Sequence, residues 1–384
     1  MDEEANIFCN ICGGPPTYRN LIKRSSLQYL DEEDQLGEHE AYDDYCTCGA
    51  GQEGGRHATF CNYLFGYDAR DISLKDIKWL GDVRLVAHQI PDAELFTEKD
   101  SADLPVVSPL AQHVDLQSGH FFYPRPYGED PRSNILECNQ DGFLVHDACL
   151  EILKLVWRDT ISATRPIDLR DFVSVMEQGL EDRNSDSFDW GYGNTFSKGP
   201  RFEPFEGWVP WEDSEWTVMD PNGPVDLRPL ITAASAQTES GCTFVFHHDK
   251  EIQDHSGPRK PDHLSLIPYE LRFRILEMLP THSVLNLFLA SPHFRQCAQN
   301  LPRSFWKSRL FFDVPWCADM VLSQVQRRGK LQWNELLRLL KDAVAVMEQD
   351  SDSLNYLALK NRRRIWRQCE RIVRGIESQQ ALKR

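Results

Sequence analysis

Two short stretches of this sequence hold residues whose type and spacing could do chemistry. Phe8-Cys9-Asn10-Ile11-Cys12-Gly13-Gly14 is a Cys-x2-Cys-Gly turn, in which two thiolates and the amides beside them can wrap around one Zn²⁺. Such a turn is half of a tetrahedral site, or else two thiols in a tight glycine-rich turn. Cys46, Cys48, His57 and Cys61 offer a second half close by, in a glycine-rich loop. His146 and Cys149 offer one much further along the chain. The first group also reads as loosely packed or solvent-facing thiols.

The distant pair fits the geometry better. Phe143-Leu144-Val145 reads as a short strand, and the residues from Asp147 on, with Cys149, Ile152, Leu153 and Val156, read as a helix with an apolar stripe. His146 and Cys149, three apart at its first turn, then face one ion together. A knuckle joined to a helix start resembles the plan of treble-clef and LIM-like zinc sites. The expected metal ligands are therefore Cys9, Cys12, His146 and Cys149, with residues 13–145 inserted between the halves.

The elements that must position these ligands form a mixed α+β unit over residues 1–247. Leu74, Ile77, Trp79 and Leu80 predict a helix, Val83–Ala87 and His120–Tyr123 predict strands, and Asp168 can cap a helix carrying Phe172, Val175, Met176 and Leu180. Pro224–Leu230 and Cys242–Phe246 read as closing strands. Residues 27–60 hold nine acidic side chains against one basic and read as a mobile acidic insertion. Residues 184–216 gather nine aromatics and seven carboxylates without period. That stretch reads as a long loop stapled down by its rings. Alternatively Trp190, Trp208, Trp211 and Trp216 form a target-binding surface for a basic, partly apolar segment.

The bulk composition narrows the classes of function. The chain of 384 residues has a net charge of -17, which argues against nucleic acid as its main partner. Its longest apolar run, Ala343–Met347, is five residues, far short of the ~20 that span a bilayer, so no membrane partner is expected. Met1-Asp2-Glu3-Glu4 has neither the basic start nor the apolar core of a signal peptide. The expected compartment is cytoplasmic or nuclear, where the 11 cysteines serve as buried thiols or metal ligands rather than disulfides. No nucleophile elbow, Walker loop, dinucleotide turn or His-Glu-x-x-His helix occurs. His247-His248-Asp249 lies in a polar linker where nothing would exclude water.

After that linker, residues 248–262, the sequence becomes helical. Residues 263–312 read as three short helices. Leu271, Ile275, Leu276, Met278 and Leu279 recur between Pro268 and Pro280; Thr281 or Ser283 can cap a second run with Val284, Leu287, Phe288 and Ala290; and Phe294, Cys297, Ala298 and Leu301 make a third before Phe305-Trp306. This is more apolar surface than three short helices can hide. Residues 313–384 add two amphipathic helices, one with Leu336, Leu337, Leu340, Val344 and Met347, the other with Ile365, Trp366, Cys369, Ile372, Val373 and Ile376. Arg362, Arg363, Arg364, Arg367, Arg371 and Arg374 fall largely off that second stripe and read as a solvated basic face.

Leu266-Ile267-Pro268-x-Glu270-Leu271-x3-Ile275-Leu276-x2-Leu279, with Leu285-x-Leu287, Ala290-Ser291, Phe294-Arg295 and Phe305-Trp306 after it, resembles an F-box, the module that docks on the Skp adaptor of cullin-RING ubiquitin ligases. Phe305-Trp306-Lys307-Ser308-Arg309 is similar to the ending found in fungal F-box proteins. In those proteins a Cys-x2-Cys-Gly start, a Gly-Phe-x2-His-x2-Cys segment before a helix, and a stretch similar to Asn361-Arg362-Arg363-Arg364-Ile365-Trp366 also recur. Many of them continue into a further large domain, which is not expected here.

The resemblance implies a non-catalytic substrate-recognition subunit of an SCF-type ligase, with the Skp adaptor and cullin scaffold as partners and an unknown protein as target. The implied adaptor-binding residues are Leu266, Ile267, Pro268, Leu271, Ile275, Leu276, Leu279, Leu285, Leu287 and Phe288. Two other readings stand beside it. One is a zinc-stabilised interaction module whose F-box-like helices are internal core, and the other is a metal-dependent enzyme with an open coordination position.

Overall fold

A computed structural model describes residues 8–16, 72–88, 90, 106–111, 113–114, 120–123, 134–137, 142–162, 164–181, 215–236, 266–291, 293–294, 297, 301–325, 331–349 and 356–383. The acidic insertion at 27–60, with Cys46, Cys48, His57 and Cys61, lies outside them, as do Trp190, Trp208, Trp211, the stretch 242–246 and the linker 248–262. The described part is mostly helical with small antiparallel sheets, an α+β chain, and it divides into two compact units. Unit 1 comprises Met1–Pro224 together with Ser353–Arg384, and unit 2 comprises Val225–Asp352.

Unit 1 begins with a helical turn α1 (Leu74–Ile77), which runs into a 3₁₀ turn at Lys78–Gly81. The Asp76 side chain accepts from the Ser73 amide at 2.8 Å and closes the start of that turn. Strand β1 (Val83–Val86) pairs antiparallel with β5 (Phe143–His146), Val83 opposite His146 and Val86 opposite Phe143. Both are bracketed by apolar residues that alternate into the core: Val83, Leu85, Ala87, Ile90, Val114, Phe121 and Leu144 form one buried cluster. A glycine is needed where β5 begins, because a Cβ on Gly142 would lie 2.7 Å from the Val86 carbonyl oxygen. A second sheet has the order β2 (His113–Val114), β3 (His120–Tyr123), β4 (Asn134–Glu137), antiparallel throughout. The strands at 83–86, 120–123 and 143–146 match the sequence expectation. Strand β4 was not foreseen.

Three long helices complete unit 1: α2 (Asp147–Thr160), α3 (Leu169–Glu181) and, after α4–α9 of unit 2, the last helix (Leu357–Leu382, α10). Asp168 Oδ1 accepts from the Arg170 amide at 3.0 Å and caps α3 as its position predicts. The last helix packs on α2 and α3, and its Leu359, Ile365, Cys369, Ile372, Val373 and Ile376 are all buried on one apolar stripe. It belongs with the elements that carry Cys9, Cys12, His146 and Cys149, whereas the sequence groups it with the segment after residue 312. Its basic residues also differ from expectation: Arg362 and Arg364 are buried, while Arg367 and Arg371 are exposed. Buried guanidinium groups need oxygen partners. Arg362 reaches Asn222 Oδ1 and the Pro221 carbonyl, and Asn361 Nδ2 donates to the Met219 carbonyl at 2.7 Å.

Unit 2 is helical: α4 (Arg228–Ala236), α5 (Tyr269–Met278), α6 (Thr281–Ala290), α7 (Arg303–Asp313), α8 (Pro315–Val325) and α9 (Trp333–Gln349). The stretch from Pro224, read as a strand, is coil and then helix α4, because Leu227, Ile231 and Ala234 recur at helical spacing and are all buried. Prolines 268, 280 and 302 stand immediately before α5, α6 and α7, where their fixed φ suits the entry to a helix and no N–H is missed. Pro280 is thus the residue before α6, and Thr281 and Ser283 lie inside it rather than capping it.

The core of this unit holds Leu276, Val284, Phe288, Phe294, Phe305, Trp306 and Leu310. Arg309 of α7 reaches into it and donates to the carbonyls of Leu276, Glu277 and Leu279, the last carbonyls of α5, while its guanidinium lies 4.6 Å from the Phe305 ring centroid. Arg309→Met should leave those carbonyls unsatisfied at a cost of about 2–4 kcal/mol. Urea denaturation followed by circular dichroism would show it as a lower midpoint at an unchanged slope.

Candidate functional site

The turn at Cys9–Gly14 is closed by two backbone bonds, Gly13 amide to Cys9 carbonyl at 2.7 Å and Cys9 amide to Gly14 carbonyl at 2.9 Å. Gly13 has φ 71°, a left-handed conformation that glycine adopts without strain. Gly14 lies close to the cluster: a Cβ there would lie 3.2 Å from Cys12 Sγ and 3.5 Å from His146 Cε1, a tight fit that would push on the sulfur. The turn hangs on strand β5, since the Asn10 amide donates to the Leu144 carbonyl at 2.8 Å and Asn10 Nδ2 reaches the same oxygen at 3.2 Å. His146, the last residue of β5, is the residue before α2, and Cys149 follows in the first turn of that helix.

These elements bring Cys9, Cys12, His146 and Cys149 together, all fully buried, with their ligand atoms within 4.8 Å of one another. His146 Nδ1 lies 3.4 Å from Cys12 Sγ and 3.9 Å from Cys149 Sγ. Zinc bonds of about 2.3 Å to sulfur and about 2.0 Å to nitrogen place tetrahedral ligand atoms about 3.5–3.8 Å apart. A small contraction therefore turns this cluster into a tetrahedral Cys3His site. Three further bonds support that chemistry. His146 Nε2 lies 2.8 Å from the Pro15 carbonyl, which holds the proton on Nε2 and turns Nδ1 toward the sulfurs. The amides of His146 and Gly14 donate to Cys9 Sγ and Cys12 Sγ, each at 3.3 Å. Trp79 tilts over the imidazole with ring centroids 4.7 Å apart and shuts out water from that side.

Burial and crowding set the protonation of the cluster. Burial opposes ionisation of Cys12, yet hydrogen bonds from Cys149 and Cys9 and the charge of His146 outweigh it and leave that thiol well below its ordinary pKa. Burial works against a charged His146, but the Cys9 and Cys12 sulfurs overcome it and hold its pKa well above the usual value. Burial, with the neighbouring thiols, pushes Cys149 far up. Three thiols and an imidazole at this separation can all lose their protons only if a cation replaces them.

The support around the cluster holds residues that the sequence reading passed over. Arg364 of α10, 5% exposed, donates from Nη1 to the Cys12 carbonyl at 2.6 Å and is held by Asn361 Oδ1, 3.1 Å from Nε and 3.0 Å from Nη2. Cys369 of the same helix is buried near the Cys149 carbonyl. In the sequence Arg364 reads as part of a solvated basic face and Cys369 as part of the apolar stripe, and neither pattern points to a metal site.

The second group of expected site residues divides. Leu266 and Leu271 are 79% and 56% exposed, Pro268 and Ile275 are exposed, and Ile267, Leu279, Leu285 and Leu287 are half-buried; Met278, outside the expected set, is 85% exposed. Leu276 and Phe288 are buried in the core of unit 2. Those two cannot reach a partner and are corrected to core residues. Trp216, expected as a target-binding residue, is half-buried in a 3₁₀ turn (Glu215–Val218), and Lys360 Nζ lies 4.5 Å from its ring centroid. Its indole is engaged within unit 1. Among the described residues, no helix is long and apolar enough to cross a membrane. Comparison with family models, with curated proteins and with solved structures finds no match.

Proposed function

We propose that this chain is an F-box protein, the non-catalytic substrate-recognition subunit of an SCF-type cullin-RING ubiquitin ligase, acting in the cytoplasm or nucleus. Its α5–α7 region binds the Skp adaptor, and through it the cullin scaffold. The observation that carries the reading is where apolar surface is left open. Of the eleven large hydrophobic side chains exposed among the described residues, eight (Leu266, Tyr269, Leu271, Ile275, Met278, Leu289, Phe311 and Phe312) lie in the stretch that resembles an F-box. Such a concentration of exposed apolar side chains in one segment of a protein otherwise rich in charge is the kind of surface that partners cover. The burial of Leu276 and Phe288 favours the reading of these helices as core for part of their surface, and the exposed leucines define the part left for the adaptor.

In unit 1 the Cys3His cluster is read as a zinc site. Zinc there would be held by Cys9, Cys12, His146 and Cys149, and four protein ligands leave no open position for a reactive water, so the ion would brace the fold. Unit 1 is then the platform for an unknown protein target.

Immobilised, purified Skp adaptor should retain the full-length chain. Leu271→Asp and Met278→Asp should each abolish retention while the melting temperature stays put, because substitutions at exposed positions seldom change stability by more than about 0.5 kcal/mol. Failure of the wild-type chain to bind, or equal binding by both variants, would reject the assignment.

A further inference from the structure

Arg364 occupies a place that the zinc reading of unit 1 does not explain by itself. Three thiolates and a neutral imidazole around a divalent cation leave one net negative charge, in a site whose four ligands are fully buried. Uncompensated charge in such surroundings is costly. Arg364 is a permanent cation, 5% exposed, whose Nη1 lies 2.6 Å from the carbonyl of the ligand residue Cys12. Cys12 O and Asn361 Oδ1 receive it there, and Asn361 grips both Nε and Nη2 while Nη1 reaches the knuckle. Asn361 is in turn anchored by its donation to the Met219 carbonyl at 2.7 Å. A chain of fixed hydrogen bonds therefore runs from the core of unit 1 to the ligand turn, with a cation at its end.

We propose that Arg364 is a positioning residue of the metal centre: it supplies the counter-charge for a Cys3His zinc and ties the Cys9–Cys12 knuckle to the last helix. The proposal rests on the zinc reading. It predicts that charge at position 364, more than side-chain shape, decides how tightly the metal is held.

The test compares the full-length wild type with Arg364→Lys and Arg364→Gln. Lysine keeps a positive donor, and glutamine keeps a donor without the charge. Zinc affinity is read by competition with a chromophoric chelator, and the ligand set by the visible bands of the cobalt-substituted protein. Arg364→Gln should lose about 10- to 100-fold in affinity, the range for partners that sit behind metal ligands, or fail to fold. Arg364→Lys should stay folded and close to wild type, with the cobalt bands of all folded proteins unchanged. Loss in Lys equal to that in Gln would overturn the counter-charge role in favour of hydrogen-bond geometry, and no loss in either would overturn the proposal outright. If the wild type itself takes up neither zinc nor cobalt, the zinc reading fails instead, so the two failures are distinguishable.

Discussion

Removal of zinc by a strong chelator is expected to unfold unit 1. Metal binding to a structural Cys/His site contributes on the order of 10–16 kcal/mol, comparable with or larger than the ~5–15 kcal/mol net stability of a whole domain. The elements at risk are those the cluster joins: the Cys9–Gly14 turn, strand β5 with its partner β1, helix α2, and the last helix through Arg364. Helices α2, α3 and α10 contain 14, 13 and 26 residues, so far-ultraviolet circular dichroism should lose a large helical signal and recover it on adding zinc back. Elemental analysis should give one zinc per chain. Cys12→Ser should reproduce the chelated state, whereas Cys48→Ser should keep its metal. A purified protein without stoichiometric zinc, or an apo form with the same melting profile, would remove the site; zinc surviving Cys12→Ser but lost in Cys48→Ser would move it.

Leu276→Asp should unfold unit 2. The leucine is 1% exposed, and truncating such a residue costs about 2–5 kcal/mol before any charge is considered. Aspartate adds a carboxylate with no polar partner in a core made of Val284, Phe288, Phe305 and Leu310. The α5 carbonyls that Arg309 clamps, Leu276 among them, would be displaced at the same time. The cooperative transition of unit 2 should vanish, and adaptor binding with it. A folded Leu276→Asp protein that fails only in adaptor binding would instead place this side chain at the interface.

The contrast between Leu271 and Leu276 shows what the sequence could and could not convey. Leu271, Ile275 and Met278 recur at i, i+4 and i+7, the spacing of a core-facing stripe, yet that stripe is exposed and Leu276, off it, is buried. Periodicity finds a helix and its apolar residues, but a helix apolar on two sides does not say which side its own chain will cover. The metal cluster was more legible because chemistry, not amphipathicity, marks it: Cys-x2-Cys-Gly requires a tight turn, and His-x2-Cys at a strand-to-helix junction has one way to face an ion. Strand β1 and helices α2 and α3 were equally plain from alternation and from the Asp168 cap. Buried arginines were not. Arg309, Arg362 and Arg364 read as surface by type, and each is buried with a carbonyl partner 30 or more residues away. The join of the last helix to unit 1 was hidden for the same reason, since its closest partners lie far back along the chain.

That join has a consequence for how the protein is born. Cys12 and Arg364 are separated by 352 positions, and unit 2 is a continuous stretch set between the two pieces of unit 1. On the ribosome, at about 5–20 residues per second, the amino-terminal thiols emerge on the order of 20–70 seconds before the helix that completes their surroundings. The helices of residues 225–352 form one continuous stretch and can fold during that interval. The nascent knuckle must therefore wait, with its cysteines accessible, for a helix made 352 positions later to close over it.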